Sequence, residues 1–295
     1  MRAYQPKLVA LFVMALALLA GAGSLTADAR CGGVEAACVV AGGTYHVVVP
    51  QGPAKPGGYP VMIFLHGWSS AGAAILQHPD LASTLERRGY VLIAPDGAIR
   101  HHGRRDWNLR DGQQRAERDE VAFLEAVIED VGRRVSIDRG RMLLAGFSRG
   151  GSMVWDIACR SPGMFAAYAP VGGGFWLPLP TGCAGPVRLF HTHAWEDPTF
   201  PLEGRTVGDR GLVQGDLFAG LAIWRRANAC RTEPPQERRM AGDTLWRAWT
   251  ACAAGSDLRL AIVSGGHAVP VGWAARALDW LERVVPIPSH AAVLR

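Results

Sequence analysis

Lysine is almost missing from this chain. Of 31 basic residues only Lys7 and Lys55 are lysines, so nearly all positive charge is guanidinium. There is no block of like charges either. The arginines stand singly or in pairs such as Arg87-Arg88, Arg104-Arg105 and Arg225-Arg226, and the formal net charge is +5. Charge scattered in this way favours solubility and loose attraction to anionic surfaces, and argues against a nucleic-acid groove. No C-x-x-C occurs, so neither a structural zinc site nor a dithiol redox motif is expected. Repeats and low-complexity linkers are absent. With 49% apolar and 19% charged residues, the 295-residue chain can bury a sizeable core, which excludes disorder, collagen and coiled coil.

Long apolar runs are lacking everywhere except near the start. Arg2 and Lys7 precede an apolar stretch from Leu8 to Ala20, and Ala27-Asp28-Ala29 follows. That is the order of a secretory signal peptide with an A-x-A cleavage site. The run is short for a bilayer span, which leaves an uncleaved anchor as the alternative. The expected organisation is a signal peptide over 1–29, one catalytic-sized domain over 30–284 and a loose tail over 285–295. All six cysteines, Cys31, Cys38, Cys159, Cys183, Cys230 and Cys252, lie beyond the leader. In an oxidising compartment, periplasm or medium, an even count reads as disulfides. Spacing cannot choose among the possible pairings, and sequential pairing is the simplest.

Short apolar runs recur at Val47–Val49, Val61–Leu65, Tyr90–Ala94, Met142–Ala145, Ala166–Val171, Val187–Phe190 and Leu258–Val263. Each has strand length and a turn-forming boundary. Several are apolar on both faces, as in a parallel sheet covered by helices. Helical periodicity lies between them: from Asp119 through Val131, after Ser148 until Ser161-Pro162-Gly163, from Leu212 to Trp224, and from Trp273 to Leu281. Alternating βα units predict an α/β class, a doubly wound, mostly parallel sheet with helices on both faces.

The strongest motif is Gly146-Phe147-Ser148-Arg149-Gly150. A strand runs into it and a helix runs out, as a sharp strand-to-helix turn carrying a nucleophilic serine requires. The alternative is a serine N-cap at an ordinary βα turn. A serine in this setting needs an acid and then a histidine later in the chain. Of the later histidines, His290 lies in the tail, and His191 and His193 precede any plausible acid. That leaves His267, in Ser264-Gly265-Gly266-His267. The acid should follow the strand Val187–Phe190, where Asp197 opens a proline-fixed turn and Glu196 competes with it. His191-x-His193 lacks a third metal ligand and reads as strand-end packing. An oxyanion hole would use the amide of Arg149 and a second amide from the loop His66-Gly67-Trp68, either Trp68 or Gly67. His66 itself reads as a structural residue of that loop.

Taken together, Leu65-His66-Gly67, Asp119-Glu120-Val121-x-Phe123, Ile137-Asp138, Gly146-x-Ser148-x-Gly150-Gly151, Phe165-Ala166-Ala167, Asp197-Pro198-x-Phe200-Pro201 and Gly265-Gly266-His267 resemble the secreted polyhydroxybutyrate depolymerase and feruloyl/acetylxylan esterase group of α/β-hydrolases. They spread over roughly residues 43–272. The resemblance implies the α/β-hydrolase fold and a secreted serine ester hydrolase, with Ser148, Asp197 and His267 as triad; an aromatic cleft in the insert between Asp197 and His267 would favour short hydroxyacyl or aryl esters. Triad chemistry requires no metal or organic cofactor, the scattered charge predicts no nucleic-acid partner, no segment beyond the leader could span a membrane, and a monomer is expected. In that group, cysteines placed like Cys159/Cys183 and Cys230/Cys252 are commonly bridged. The chain departs from the group at Val269, where relatives often carry tryptophan, and at Arg149, where they carry a smaller side chain. About 28 residues follow His267, so no appended polymer-binding module is expected. Trp224, Trp246 and Trp249 either roof an aromatic cleft or, the more economical reading, pack in the core. The competing functions are a secreted serine peptidase on the same fold and a binding protein that kept the fold.

Overall fold

The computed structural model describes Met1 and residues 31–286, apart from 55, 101–102, 111–117, 210 and 232–233. The leader, and the tail beyond residue 286, lie outside the described residues.

Ten strands form one sheet: β1 (Cys38–Val40), β2 (Gly43–Val48), β3 (Tyr59–Leu65), β4 (Val91–Pro95), β7 (Ile137–Phe147), β8 (Ala167–Val171), β9 (Arg188–Ala194), β12 (Glu237–Ala241), β13 (Thr244–Trp249) and β14 (Asp257–Val263). Two small ribbons, β5 (Ala98–Ile99) with β6 (Arg105–Asp106) and β10 (Thr206–Val207) with β11 (Leu212–Val213), stand apart from it. The sheet order is β1-β2-β4-β3-β7-β8-β9-β14-β13-β12. From β4 to β14 every neighbouring pair is parallel. The strands outside them pair antiparallel at both edges.

Alternation along the parallel strands divides the core in two. Val61, Ile63 and Leu65 of β3 join the cluster on one face, and Met62 and Phe64 join the other. The first face is covered by α3 (Glu120–Arg134), α4 (Arg149–Arg160) and α5 (Leu217–Ala227). The second is covered by α1 (Gly72–Leu76), α2 (Pro79–Arg88) and α6 (Trp273–Val284). Strands buried on both sides carry no polar alternation, which is why they read as continuous apolar runs.

Local chemistry sets the helix ends. The Asp119 carboxylate accepts the amides of Val121 and Ala122, and Asp216 accepts that of Ala219. These side chains satisfy donors that the first turn leaves unpaired. The Asp216 cap also corrects one boundary. Leu212, expected in the third helix, lies in β11, and the helix begins only at Leu217. Trp224 packs edge-on against Trp155 and stacked on Phe175, and Trp249 is equally buried. Half-buried Trp246 stacks on Phe190. None of the three roofs a cleft.

The six cysteines are paired Cys31–Cys38, Cys159–Cys183 and Cys230–Cys252. The second bridge ties the end of α4 to the segment before β9, across a sequence separation of 24. A loop of that length restricts the unfolded chain by about 3 kcal/mol. Replacing Cys159 and Cys183 together by serine should lower the unfolding free energy by about that amount in urea titration. Thiol titration of the denatured, unreduced mature protein should find no free cysteine.

Candidate active site

The site is built where β7 turns into α4. A Cβ at Gly146 would lie 2.6 Å from the Gly150 carbonyl oxygen, and one at Gly150 would overlap the carbonyl of Leu65. Only glycines allow so tight a crossing. Between them Ser148 has φ 57° and ψ −119°, a conformation costly for any residue with a side chain. Its amide donates to the Val171 carbonyl at 2.9 Å, which fixes the turn to the neighbouring strand. The hydroxyl stands at the N-terminus of a twelve-residue helix, where the dipole favours negative charge.

Two loops at the carboxyl ends of later strands reach this serine. His267, after β14, has Nε2 2.8 Å from the Ser148 Oγ. Its Nδ1 lies 2.6 Å from the Asp197 Oδ2, on the loop after β9. Phe147 packs against the imidazole with ring centroids 4.6 Å apart, which limits its swing. Asp197 is 4% exposed. Its other oxygen accepts the amides of Thr199 and Phe200 at 2.8 and 2.9 Å. Burial alone would push this carboxyl up. The hydrogen bond from His267, with the two amides, outweighs burial and holds it below the usual carboxylate range. Glu196, the competing acid, is exposed.

Gly67 lies beside the serine; a Cβ there would sit 3.5 Å from the Ser148 Cβ. The loop it belongs to is locked by His66, whose Nδ1–H donates to the Gly67 carbonyl while Nε2 accepts the Gly97 amide at 2.9 Å. Both ring nitrogens are thus used, and burial lowers the imidazole pKa, so His66 is a neutral structural group. Trp68 follows, 55% exposed as a residue, with the Arg104 guanidinium over its ring. Arg149 is the first residue of α4, the end at which helix amides point outward along the axis. Its side chain turns inward to the Asp106 carboxylate, with Nε and Nη2 at 2.8 and 2.9 Å, and lies over Trp176. The arrangement can therefore hand a proton from a hydroxyl to an imidazole that is oriented by a carboxylate. Among the described residues no group of histidine, cysteine and carboxylate side chains could hold a metal.

Over residues 43–176 the chain matches the family model described as esterase PHB depolymerase. The feruloyl esterase C of Emericella nidulans is 30% identical over 39% of this chain and 38% of its own length. A probable feruloyl esterase C of Aspergillus niger is 27% identical over 47% of this chain and 50% of its own length. The chain thus spans half or less of the length of these relatives. The acetyl xylan esterase from Aspergillus awamori superposes with a TM-score of 0.60 at 14% identity, over 81% of this chain and 93% of that one. The fold is that of an α/β-hydrolase. The resemblance to the polyhydroxybutyrate depolymerase and feruloyl/acetylxylan esterase group is thus borne out by the family model over residues 43–176 and by partial matches to named feruloyl esterases. Ser148 stands at the end of β7, inside the ten-stranded sheet, with Asp197 and His267 on the loops after β9 and β14.

Behind the elbow, α4 carries a buried carboxylate that sequence reasoning passed over. The Asp156 Oδ2 accepts the Arg110 amide at 2.6 Å. Burial pushes its carboxyl up to about 6, against the pull of that amide and of the charges on Arg160, Arg110 and Arg149. The folded state therefore holds the proton more tightly than the unfolded one. The stability this gives is full below the ordinary carboxylate range and is lost as pH rises towards 6. Asp156→Asn cannot titrate. Its unfolding free energy, measured against wild type from pH 4 to 8, should gain on the order of 2–3 kcal/mol as pH climbs through that interval.

Proposed function

We propose that the protein is a secreted serine carboxylic-ester hydrolase acting by a Ser148–His267–Asp197 triad through an acyl-enzyme. The observation that carries this reading is the unbroken hydrogen-bond chain from the elbow hydroxyl to a buried carboxylate, 2.8 Å and then 2.6 Å. The similarity to named esterases supports the choice of an ester as substrate. Three disulfides support export to an oxidising compartment. Among the described residues no helix is long and apolar enough to cross a membrane.

The chemistry follows from the atoms. His267 Nε2 takes the hydroxyl proton as Ser148 Oγ attacks the ester carbonyl carbon. Asp197 holds the imidazole with its proton on Nδ1 and stabilises the imidazolium that forms. The amides of Arg149 and Trp68 receive the negative oxygen of the tetrahedral intermediate. The imidazolium then gives its proton to the leaving alcohol, and the acyl group stays on Ser148. A water molecule, deprotonated by His267, attacks the acyl-enzyme, and the serine regains its proton. No metal or organic cofactor takes part in this scheme.

Exposed Trp68 and Trp195 flank the loops that carry the proposed oxyanion donor and the acid. They offer flat apolar surface to an aromatic or short acyl group. Initial rates on nitrophenyl acetate, butyrate and palmitate, on methyl hydroxycinnamates and on polyester film test the substrate class. Short and aryl esters should give the higher kcat/KM. Preference for palmitate, or hydrolysis of peptides in place of esters, would overturn that class.

The triad itself is tested by mutation. Ser148→Ala should keep the fold and lose at least about 10³-fold in kcat, because the three residues act as a unit. Asp197→Asn should lose on the order of 10⁴-fold by favouring the wrong imidazole tautomer. Glu196→Gln should stay near wild type. The reverse ranking of the last two would make Glu196 the acid.

A further inference from the structure

Two imidazoles at the end of β9 are used by nothing in the scheme above. His191 and His193 are completely buried, paired in register with Leu260 and Ile262 of β14. Burying two such rings is expensive unless every nitrogen finds a partner. Here all four do. The Trp155 indole N–H lies 3.2 Å from the His191 Nδ1. The His191 Nε2 lies 3.0 Å from the His193 Nδ1, and the His193 Nε2 lies 2.7 Å from the Phe200 carbonyl oxygen.

One end of this array sets its direction. An indole N–H can only donate, so His191 Nδ1 must accept and the His191 proton sits on Nε2. That proton points at His193 Nδ1, which must also accept. The His193 proton is then on Nε2 and is donated to the Phe200 carbonyl, which can only accept. A second proton on either ring would set two donors against each other. Burial acts in the same sense and lowers both imidazole pKa values.

The far end reaches the acid. Phe200 accepts from His193 through its carbonyl and donates its own amide to the Asp197 Oδ1 at 2.9 Å. The His193 Nε2 is also 3.7 Å from the Asp197 Oδ2, the oxygen that faces His267. The Phe200 ring is buried edge-on against His193 and Trp176, so the residue cannot slide.

We propose that Trp155, His191 and His193 form a fixed-direction hydrogen-bond array that positions the Asp197 carboxylate by gripping Phe200 from behind. His191 and His193 are positioning residues in this account, since neither touches substrate. The inference rests on the triad reading for its kinetic consequence, but the placement of Asp197 can be observed without any substrate. An apolar ring at 193 fills the space and leaves the Phe200 carbonyl and the His191 N–H unpaired. Glutamine at 193 places an amide N–H near the lost Nε2–H.

The experiment compares wild type, His193→Phe and His193→Gln as mature proteins, with thermal melts to establish folding. One readout is the downfield proton resonance of the His267–Asp197 hydrogen bond, taken in the absence of substrate. The other is kcat and KM on nitrophenyl acetate. We expect the resonance to vanish in His193→Phe and to persist in His193→Gln. The rate should fall in kcat, by up to about 10²-fold for a carboxylate displaced by roughly 1 Å, with KM little changed. Glutamine should recover most of the lost rate. If His193→Phe does not fold, His193→Asn, which can pair with His191 but cannot reach Phe200, takes its place with the same expectation. A resonance and kcat unchanged in the folded apolar or asparagine variant would overturn the proposal. Loss of the resonance in a protein whose wild type cleaves no ester would uphold the positioning and sink the esterase reading.

Discussion

No Cβ fits between the end of β3 and the first turn of α4. Gly150 rests on the Leu65 carbonyl, and Gly146 faces Gly150 across the turn. Everything at the site follows from that closeness. It forces Ser148 into its strained conformation, and it brings the loop after β3 against the serine, so that Gly67 becomes its neighbour. The parallel pairing of β3 with β7, and of β7 with β8, holds the crossing from both sides. A turn bearing one unfavourable residue, a cost of order 1–3 kcal/mol, persists because the packed strands around it leave no alternative.

The charges near this turn are few and each has a designated partner. Arg149 and Asp106 pair through two hydrogen bonds, and Asp106 also accepts the Trp107 amide. Arg118 pairs with buried Glu120, whose other oxygen accepts the Asn108 amide. These pairs, with the Arg110 amide on Asp156, fasten β6 and the segment after it to the start of α3 and to the first and third turns of α4. A planar guanidinium suits such work, because it can meet both carboxylate oxygens at once and keeps its charge when buried. In a chain that has hardly any lysine, buried ion pairing falls to arginine.

The central parallel strands were legible because double-sided burial leaves a continuous apolar run, and the elbow because glycine spacing is a steric signature. Ser148, His267 and Asp197 could be ordered along the chain before their geometry was known, since loops at strand ends carry them. Other elements hid for physical reasons. β12 reads Glu-Arg-Arg-Met-Ala and is exposed throughout, so neither face carries an apolar signal. β13 follows a Gly242-Asp243 turn, a hairpin cue that was available but masked by arginines on both sides. The helix α2 buries little more than Leu81 and Leu85. Its start signal was present, with His78 capping and Pro79 at the first position. Leu212 lies five residues before Leu217, off the helical face that Leu217, Leu221 and Trp224 share, and it pairs with Val207 in a ribbon. The His191–His193 pair was visible as a motif, but its direction depends on Trp155, a residue from another element that no local pattern links to it.

The same edge that escaped recognition has a bearing on association between copies of the chain. β12 is the last strand of a ten-stranded sheet, and its outer side is open to solvent. Open strand edges are templates for pairing with another chain, and charge on the edge is a natural defence. Glu237, Arg238 and Arg239 stand consecutively there. A second copy approaching edge to edge would have to strip water from these charged side chains. The strand thus completes the sheet while discouraging the growth of that sheet into a fibre.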